Sequence, residues 1–167
     1  MSAVGPIYRD LIARGASAHR DRIAMIVGER HYSFGEVDDR ANRLARALIA
    51  AGATKGTRIA ILLDNGADSI PIDFAIAKAG LNKVPLNARL SVDEHVRMVA
   101  EARVELLLYG PSLAERARSL CEALPALRPL GIGTTAAGGD DLDTLAATQE
   151  PTAPHLALTA KIGRAHV

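Results

Sequence analysis

Short apolar runs alternate along the chain with stretches in which apolar residues recur every three or four positions, and this alternation predicts an α/β fold. Residues 23–27 and 31–33 read as strands around Gly28-Glu29-Arg30, a hairpin with glycine at the turn. Ser33 then opens a helix, because Ser33 and Glu36 have the capping-box spacing in which each side chain satisfies a free backbone N–H of the other. Phe34, Val37, Ala41, Leu44, Ala45, Leu48 and Ile49 stack on one face of it, and Gly52 sits where a left-handed cap ends it. Residues 58–63 are apolar from Ile59 onward, which suits a strand covered on both faces, as in a parallel sheet. Asp64-Asn65-Gly66 signals a turn, 67–79 a helix closed by Gly80 with Pro71 in its first turn, and 83–86 a short strand. Ser91 and Glu94 give a second capping box, opening a helix to about Ala102. After an apolar strand at 104–109, Ser112 and Glu115 give a third, opening a helix to about Leu124.

Three such signals, each just after a strand-like run, predict strand–helix–strand crossovers. The expected architecture is an open, mainly parallel sheet with flanking helices and an N-terminal β-hairpin. Beyond Leu124, prolines, glycines and the Asp140, Asp141 and Asp143 cluster break the periodicity. Residues 125–154 read as loop with one short helix near 142–147, and 156–160 as one more strand. There is no internal repeat.

Composition narrows the function classes. A chain of 167 residues, 49% apolar and 23% charged, suffices for one domain with a sizeable core. A net charge of +1 gives no argument for nucleic acid or an anionic membrane, and aromatics at 3% argue against a base-stacking platform. The one cysteine, Cys121, leaves no disulfide framework and no cysteine-based zinc site. No apolar run approaches the length of a membrane span and residues 1–10 lack a secretory pattern, so a cytoplasmic location is the expectation.

Candidate chemistry is sparse. Residues 131–139 (GIGTTAAGG) look like a phosphate loop, but no Lys or Arg follows and Asp140 and Asp141 would repel an anion, so a flexible linker is the better reading. His19, His31, His95, His155 and His166 are dispersed, without the helical spacing of metal ligands, and read as surface or capping residues. Cys121 falls at an apolar helical position and reads as a buried, inert thiol. Asp38, Asp39, Arg40 and Arg43 read as an exposed helix face with ion pairs. The residues alone yield no catalytic, cofactor-binding or metal-binding side chain.

The order of segments says more. Residues 32–37 (YSFGEV), 39–48 (DRANRLARAL), 58–65 (RIAILLDN) and 77–90 (AKAGLNKVPLNARL) together resemble the start of the adenylate-forming (AMP-binding) enzymes: acyl-CoA synthetases, luciferases and peptide-synthetase adenylation domains. The Pro85-Leu86-Asn87 ending followed by Arg89 and Leu90 is more similar to acyl- or aryl-CoA synthetases than to peptide-synthetase domains, which usually end in Asp. The resemblance covers roughly 7–120. It implies an ATP-dependent acid–thiol ligase, with fatty-acid metabolism among the family's roles. A carboxylic-acid substrate is adenylated with ATP and Mg²⁺, and coenzyme A then displaces AMP. It also implies a loop of the form Ser/Thr-Ser-Gly-Thr-Thr-Gly-x-Pro-Lys-Gly just after the strand at 156–160. Instead the sequence reads Lys161 to Val167 (KIGRAHV), which AAG ATC GGA AGA GCA CAC GTC encodes and which resembles a sequencing adapter. The expectation is that 1–160 is a partial N-terminal domain of this fold, that 161–167 is an artefact set aside from it, and that the fragment binds no cofactor, is inactive and self-associates. The alternative is a complete, non-catalytic α/β binding or interaction module.

Overall fold

A computed structural model describes residues 10–155. The strand expected at 156–160 and the segment 161–167 lie outside the described residues. A helix the sequence pattern did not single out, α1 (Asp10–His19), comes first, followed by the hairpin β1 (Ile23–Val27) and β2 (Arg30–Ser33). Val27 pairs with Arg30, so the turn is the two residues Gly28 and Glu29 and Arg30 belongs to the strand. The helix α2 (Phe34–Ala50) carries the expected capping box: Ser33 Oγ accepts the Glu36 N–H at 3.2 Å, and the Glu36 carboxylate accepts the Ser33 N–H at 2.8 Å. Its end is a Schellman motif. Gly52, at φ +89°, donates to Ile49 O, and Ala53 donates to Leu48 O. A left-handed residue is required there, and glycine has no Cβ to oppose it.

Then follow β3 (Arg58–Leu62), α3 (Ser69–Lys78), β4 (Asn82–Pro85), α4 (Val92–Glu101), β5 (Leu106–Tyr109), a 3₁₀ turn (Pro111–Leu113), α5 (Ala114–Ala123), β6 (Arg128–Gly131), β7 (Asp140–Asp141) and α6 (Leu142–Ala147). The five strands β3 to β7 pair in parallel in the order β4-β3-β5-β6-β7. The α/β class, the parallel sheet and the hairpin are as expected.

Both faces of the sheet are covered, which is why β3 and β5 read as unbroken apolar runs. Ile59, Leu106, Leu108 and Leu130 pack under α2, α3 and α6. Ala60, Leu62, Leu107 and Tyr109 pack under α4 and α5. Full burial of a leucine such as Leu44 or Leu48 stabilises by ~1.5–3 kcal/mol. The chain's own helices therefore cover these strands, as the apolar runs at 58–63 and 104–109 imply. Among the described residues, the exposed large apolar ones are Leu11, Ile23, Ile26, Val27 and Ile70, around the hairpin and the start of α3.

Four further expectations are corrected. The third capping box does not form: Pro111 starts a 3₁₀ turn, so Ser112 lies inside it and donates its hydroxyl to Asp64, while Leu113 takes the N-cap of α5 without a side-chain bond. The helix expected from Ala67 starts at Ser69, because the Gly66 N–H donates to Ser69 Oγ at 2.9 Å and closes a turn first. In the stretch 125–154 the short helix forms where expected, as α6, but the loop reading misses two strands, β6 and β7, which extend the sheet. Arg128 donates to Glu105 O just before β5 and Ile132 to Tyr109 O at its end, so the N of Pro129, at the opposite parity, faces away from that ladder and its missing N–H costs little. Finally, Asp38, Arg40 and Arg43 are not on an exposed face. Lys78 Nζ lies 2.8 Å from Asp38 Oδ1 with both side chains largely buried, and Arg40 pairs with Asp68 at 2.9 Å and with Asp143. The charges of α2 thus tie it to α3 and α6. Only Asp39, paired with Arg20 at 2.5 Å, resembles the surface pair expected.

Candidate functional site at the carboxyl edge of the sheet

In an open parallel sheet the ends of the strands converge on loops, and a crevice opens where successive crossovers leave in opposite directions. Here the chain leaves β3 through α3 toward β4, and leaves β5 through α5 toward β6 on the other side. The reversal falls between β3 and β5. A crevice of about 340 Å³ opens there, walled by Leu63 and Asp64 after β3, Gly110 and Ser112 after β5, and Ile132 after β6. A second hollow of about 240 Å³ shares Asp64 and Asn65 and reaches Lys83 and Pro85 of β4.

The chemistry of this edge is acidic. The Asp64 carboxylate accepts the Ser112 hydroxyl, Asp68 holds Arg40, and Lys83 is neutralised by Asp73 at 2.5 Å. Burial opposes the charge of Arg40, but hydrogen bonds and attraction from Asp68 and Asp143 outweigh it and raise its pKa above the usual guanidinium value. Among the described residues that wall the larger crevice there is no Lys or Arg to meet a polyphosphate.

The glycine-rich stretch 131–139 is an ordered turn, not a flexible linker. The Tyr109 hydroxyl donates to Gly138 O at 2.9 Å and accepts the Ala137 N–H at 2.9 Å. Gly139, at φ +77°, lies against Pro129, whose carbonyl oxygen would be 1.9 Å from an added Cβ. The turn does not fit a phosphate. Asp141 Oδ1 already accepts the Gly133 N–H at 2.8 Å and the Asp143 N–H at 3.3 Å. Burial raises the Asp141 pKa, yet these amides and Thr144 pull it below the usual carboxylate value, so its charge occupies the place an anion would take.

His95 is fully buried, contrary to the surface reading. Its Nε2 lies 2.8 Å from Asn87 O and anchors the loop after β4, while Nδ1 has no partner. Arg116 donates to Ala88 O and Leu90 O and fixes the same loop from α5. The segment with the family-like Pro85-Leu86-Asn87 ending is therefore a rigid corner of the carboxyl edge. Cys121 is half-buried, and burial raises its thiol pKa, which disfavours the nucleophilic thiolate. Among the described residues no group of three or more His, Cys, Asp or Glu could hold a metal ion, and no helix is long and apolar enough to cross a membrane. The residues that wall the crevice therefore do not fit a polyphosphate with its Mg²⁺.

The geometry defines a doubly wound α/β domain with its crevice at a topological switch point. Comparison with known proteins makes this specific. The family description "AMP-binding enzyme" matches residues 12–161, and the chain belongs to that family. It is 34% identical over 101 residues to a phosphinothricin tripeptide synthetase of Streptomyces viridochromogenes, 60% of this chain and 9% of that protein. It is 33% identical over 98 residues to a crotonobetaine/carnitine–CoA ligase of Salmonella heidelberg, 56% of this chain and 19% of that one. Among solved structures, a protein described as a long-chain-fatty-acid CoA ligase of Rhodopseudomonas palustris superposes with TM-score 0.79 at 25% identity, covering 89% of this chain and 38% of that one. A benzoate CoA ligase of Burkholderia xenovorans shares the fold, with TM-score 0.79 at 18% identity over 90% of this chain and 30% of its own. The chain therefore spans well under half the length of these relatives.

Proposed function

We propose that this chain is the front part of the N-terminal domain of an ATP-dependent acyl- or aryl-CoA synthetase, and that alone it forms no acyl-adenylate. The observation that carries the reading is the family match over 12–161 in a chain that spans 38% of a solved relative described as a CoA ligase. The Pro85-Leu86-Asn87 corner, held by His95 and followed by Arg89 and Leu90, favours thioester formation with coenzyme A over the peptide-synthetase outcome. A tripeptide synthetase is as similar in sequence as a CoA ligase, so the acceptor is the finer part of the proposal. In this reading the described residues supply the sheet and its helices, and the groups that neutralise pyrophosphate lie outside them.

The test starts from the gene. Reading the genomic frame past codon 160 should reveal a Ser/Thr-Gly-rich loop ending in Pro-Lys-Gly. The extended protein should then catalyse carboxylate-dependent ATP–pyrophosphate exchange and release AMP when coenzyme A is added, whereas the 167-residue chain should do neither. A stop codon at that point, or exchange by the short chain above a no-protein control, overturns the proposal. The stop codon would favour a non-catalytic binding module, for which the crevice between β3 and β5 is the supporting observation.

A further inference from the structure

The last described stretch, Gln149 to His155, lies along α2 as a strap. Glu150, Pro151, Thr152 and Ala153 are exposed, so apolar burial does not hold it there. Side chains of α2 hold it by its main chain instead. Arg43 donates to Gln149 O, Asn42 Nδ2 donates to Pro151 O at 2.8 Å, and Arg46 donates to Thr152 O at 2.7 Å, to Thr152 Oγ1 at 2.9 Å and to Ala153 O at 3.4 Å. Four of these five acceptors are peptide carbonyls, which every residue type presents.

Asn42 shows that this grip is not simply a stabilising contact. It is 3% exposed, in a helix whose residues Ala41, Leu44 and Ala45 are buried with it. Both neighbours of its amide, Asp38 Oδ2 at 3.2 Å and Pro151 O, can only accept, so the NH₂ group must face them. Oδ1 is left buried without a partner. A buried acceptor left unsatisfied is a cost that an apolar residue at this position would avoid. What the amide gains in exchange is a fixed position for the carbonyl of an exposed residue.

We infer that Asn42, Arg43 and Arg46 form a carbonyl clasp that fixes where and in which direction the chain leaves the described fold, and that they are positioning residues for whatever the following segment carries. The catalytic consequence rests on the adenylating reading, in which that segment leads to the nucleotide-handling loop. The clasp itself does not. Because it reads main chain, it tolerates changes in the strap's own side chains and fails when its donors are removed.

Two arms test this and separate it from the functional proposal. In the 167-residue chain with Cys121→Ala, spin labels at Glu101→Cys and His155→Cys report the position of the strap across the sheet. A narrow distance distribution is expected, unchanged by Glu150→Ala or Ala153→Ser. It should broaden about twofold, toward that of a flexible tether, in Arg43→Gln/Arg46→Gln, whose altered side chains are not in the core, and in Asn42→Ala. In the extended enzyme the same Arg pair of changes should lower kcat for pyrophosphate exchange about tenfold or more while leaving the KM for the carboxylate unchanged. A broad distribution in the parent chain, or one that stays narrow when both Arg are replaced, overturns the clasp. Broadening without any change in kcat overturns the positioning role. If the unmodified extended enzyme shows no exchange at all, the functional proposal fails, and the distance arm alone decides the clasp.

Discussion

Removing the carboxylate of Asp38 isolates the least compensated charge in the fold. Lys78 lies in the last turn of α3 with a side chain only 4% exposed, and its Nζ is 2.8 Å from Asp38 Oδ1, itself on a side chain 14% exposed. In Asp38→Ala the ammonium stays in a site where water barely reaches it, and the Asn42 amide loses one of its two acceptors. Breaking a buried pair from one side costs ~3–5 kcal/mol, because the remaining charge is uncompensated. For a domain of this size each kcal/mol lowers Tm by about 2–4 °C, so a drop on the order of 10 °C is expected. Replacing both partners is a different perturbation. Asp38→Ala/Lys78→Met removes the stranded charge, keeps an unbranched side chain between α2 and α3, and should recover at least half of the loss. Urea unfolding of the parent, both single variants and the double variant closes the cycle. Added salt should change little, whereas the exposed Lys83–Asp73 pair should weaken with salt. A cost for Asp38→Ala below about 1 kcal/mol, or a double variant no more stable than Asp38→Ala, would refute the reasoning.

Four further outcomes are expected. Ser33→Ala should destabilise by ~1 kcal/mol in thermal or urea unfolding, through loss of the bond to the Glu36 N–H. Hydrogen bonds from the Ser33 backbone and side chain hold the Glu36 carboxyl below its usual value of 4.5, and those of Ser91 do the same for Glu94. The unfolded chain therefore binds these protons first, and the capping contribution, complete above about pH 4.5, is lost as the pH falls through the lowered folded values. Urea midpoints measured from pH 6 to pH 3 should show the decline flattened in Ser33→Ala/Ser91→Ala. Arg103→Gly should stabilise by ~1 kcal/mol, because Arg103 ends α4 at φ +48°, a left-handed position that glycine takes without opposition; a lower Tm would show that the Arg side chain matters more. The isolated chain should self-associate at micromolar concentration through the exposed Ile23, Ile26 and Val27 of its hairpin. Ile26→Lys should reduce the associated fraction in size-exclusion chromatography with light scattering, and a monodisperse parent chain would contradict this.

The regular part of the fold was legible because local and global signals agree there. The capping boxes at Ser33 and Ser91 and the doubly covered strands at 58–62 and 106–109 need no distant partner to be read. What the sequence hid depends on distance. Ser112 has the spacing of a cap but bonds to Asp64, 48 positions away. Pro129 looks like a breaker until its parity against β5 is known. The α2 charges have the local spacing of surface pairs, yet Arg40 and Arg43 bond 103 and 106 positions away. His95 gave no signal at all, since only the path of the loop after β4 places Asn87 O beside it. The crevice followed from topology: the order of strands, which no local pattern encodes, decides where the crossovers part.

The strand β5 is nearly degenerate as a message. Leu106 and Leu108 face α2 and α3, Leu107 and Tyr109 face α4 and α5, and three of the four are the same residue. A slip by one position would exchange the two sets and bury leucine for leucine at almost no hydrophobic loss. Among these four side chains only the phenol distinguishes the frames. In the native frame its oxygen meets Gly138 O and the Ala137 N–H; in the slipped frame it enters a greasy layer with nothing to bond. One hydroxyl thus acts as the index mark by which a repetitive strand finds its place, and a change to leucine there would leave the composition of the core intact while erasing the only letter that says which way round it reads.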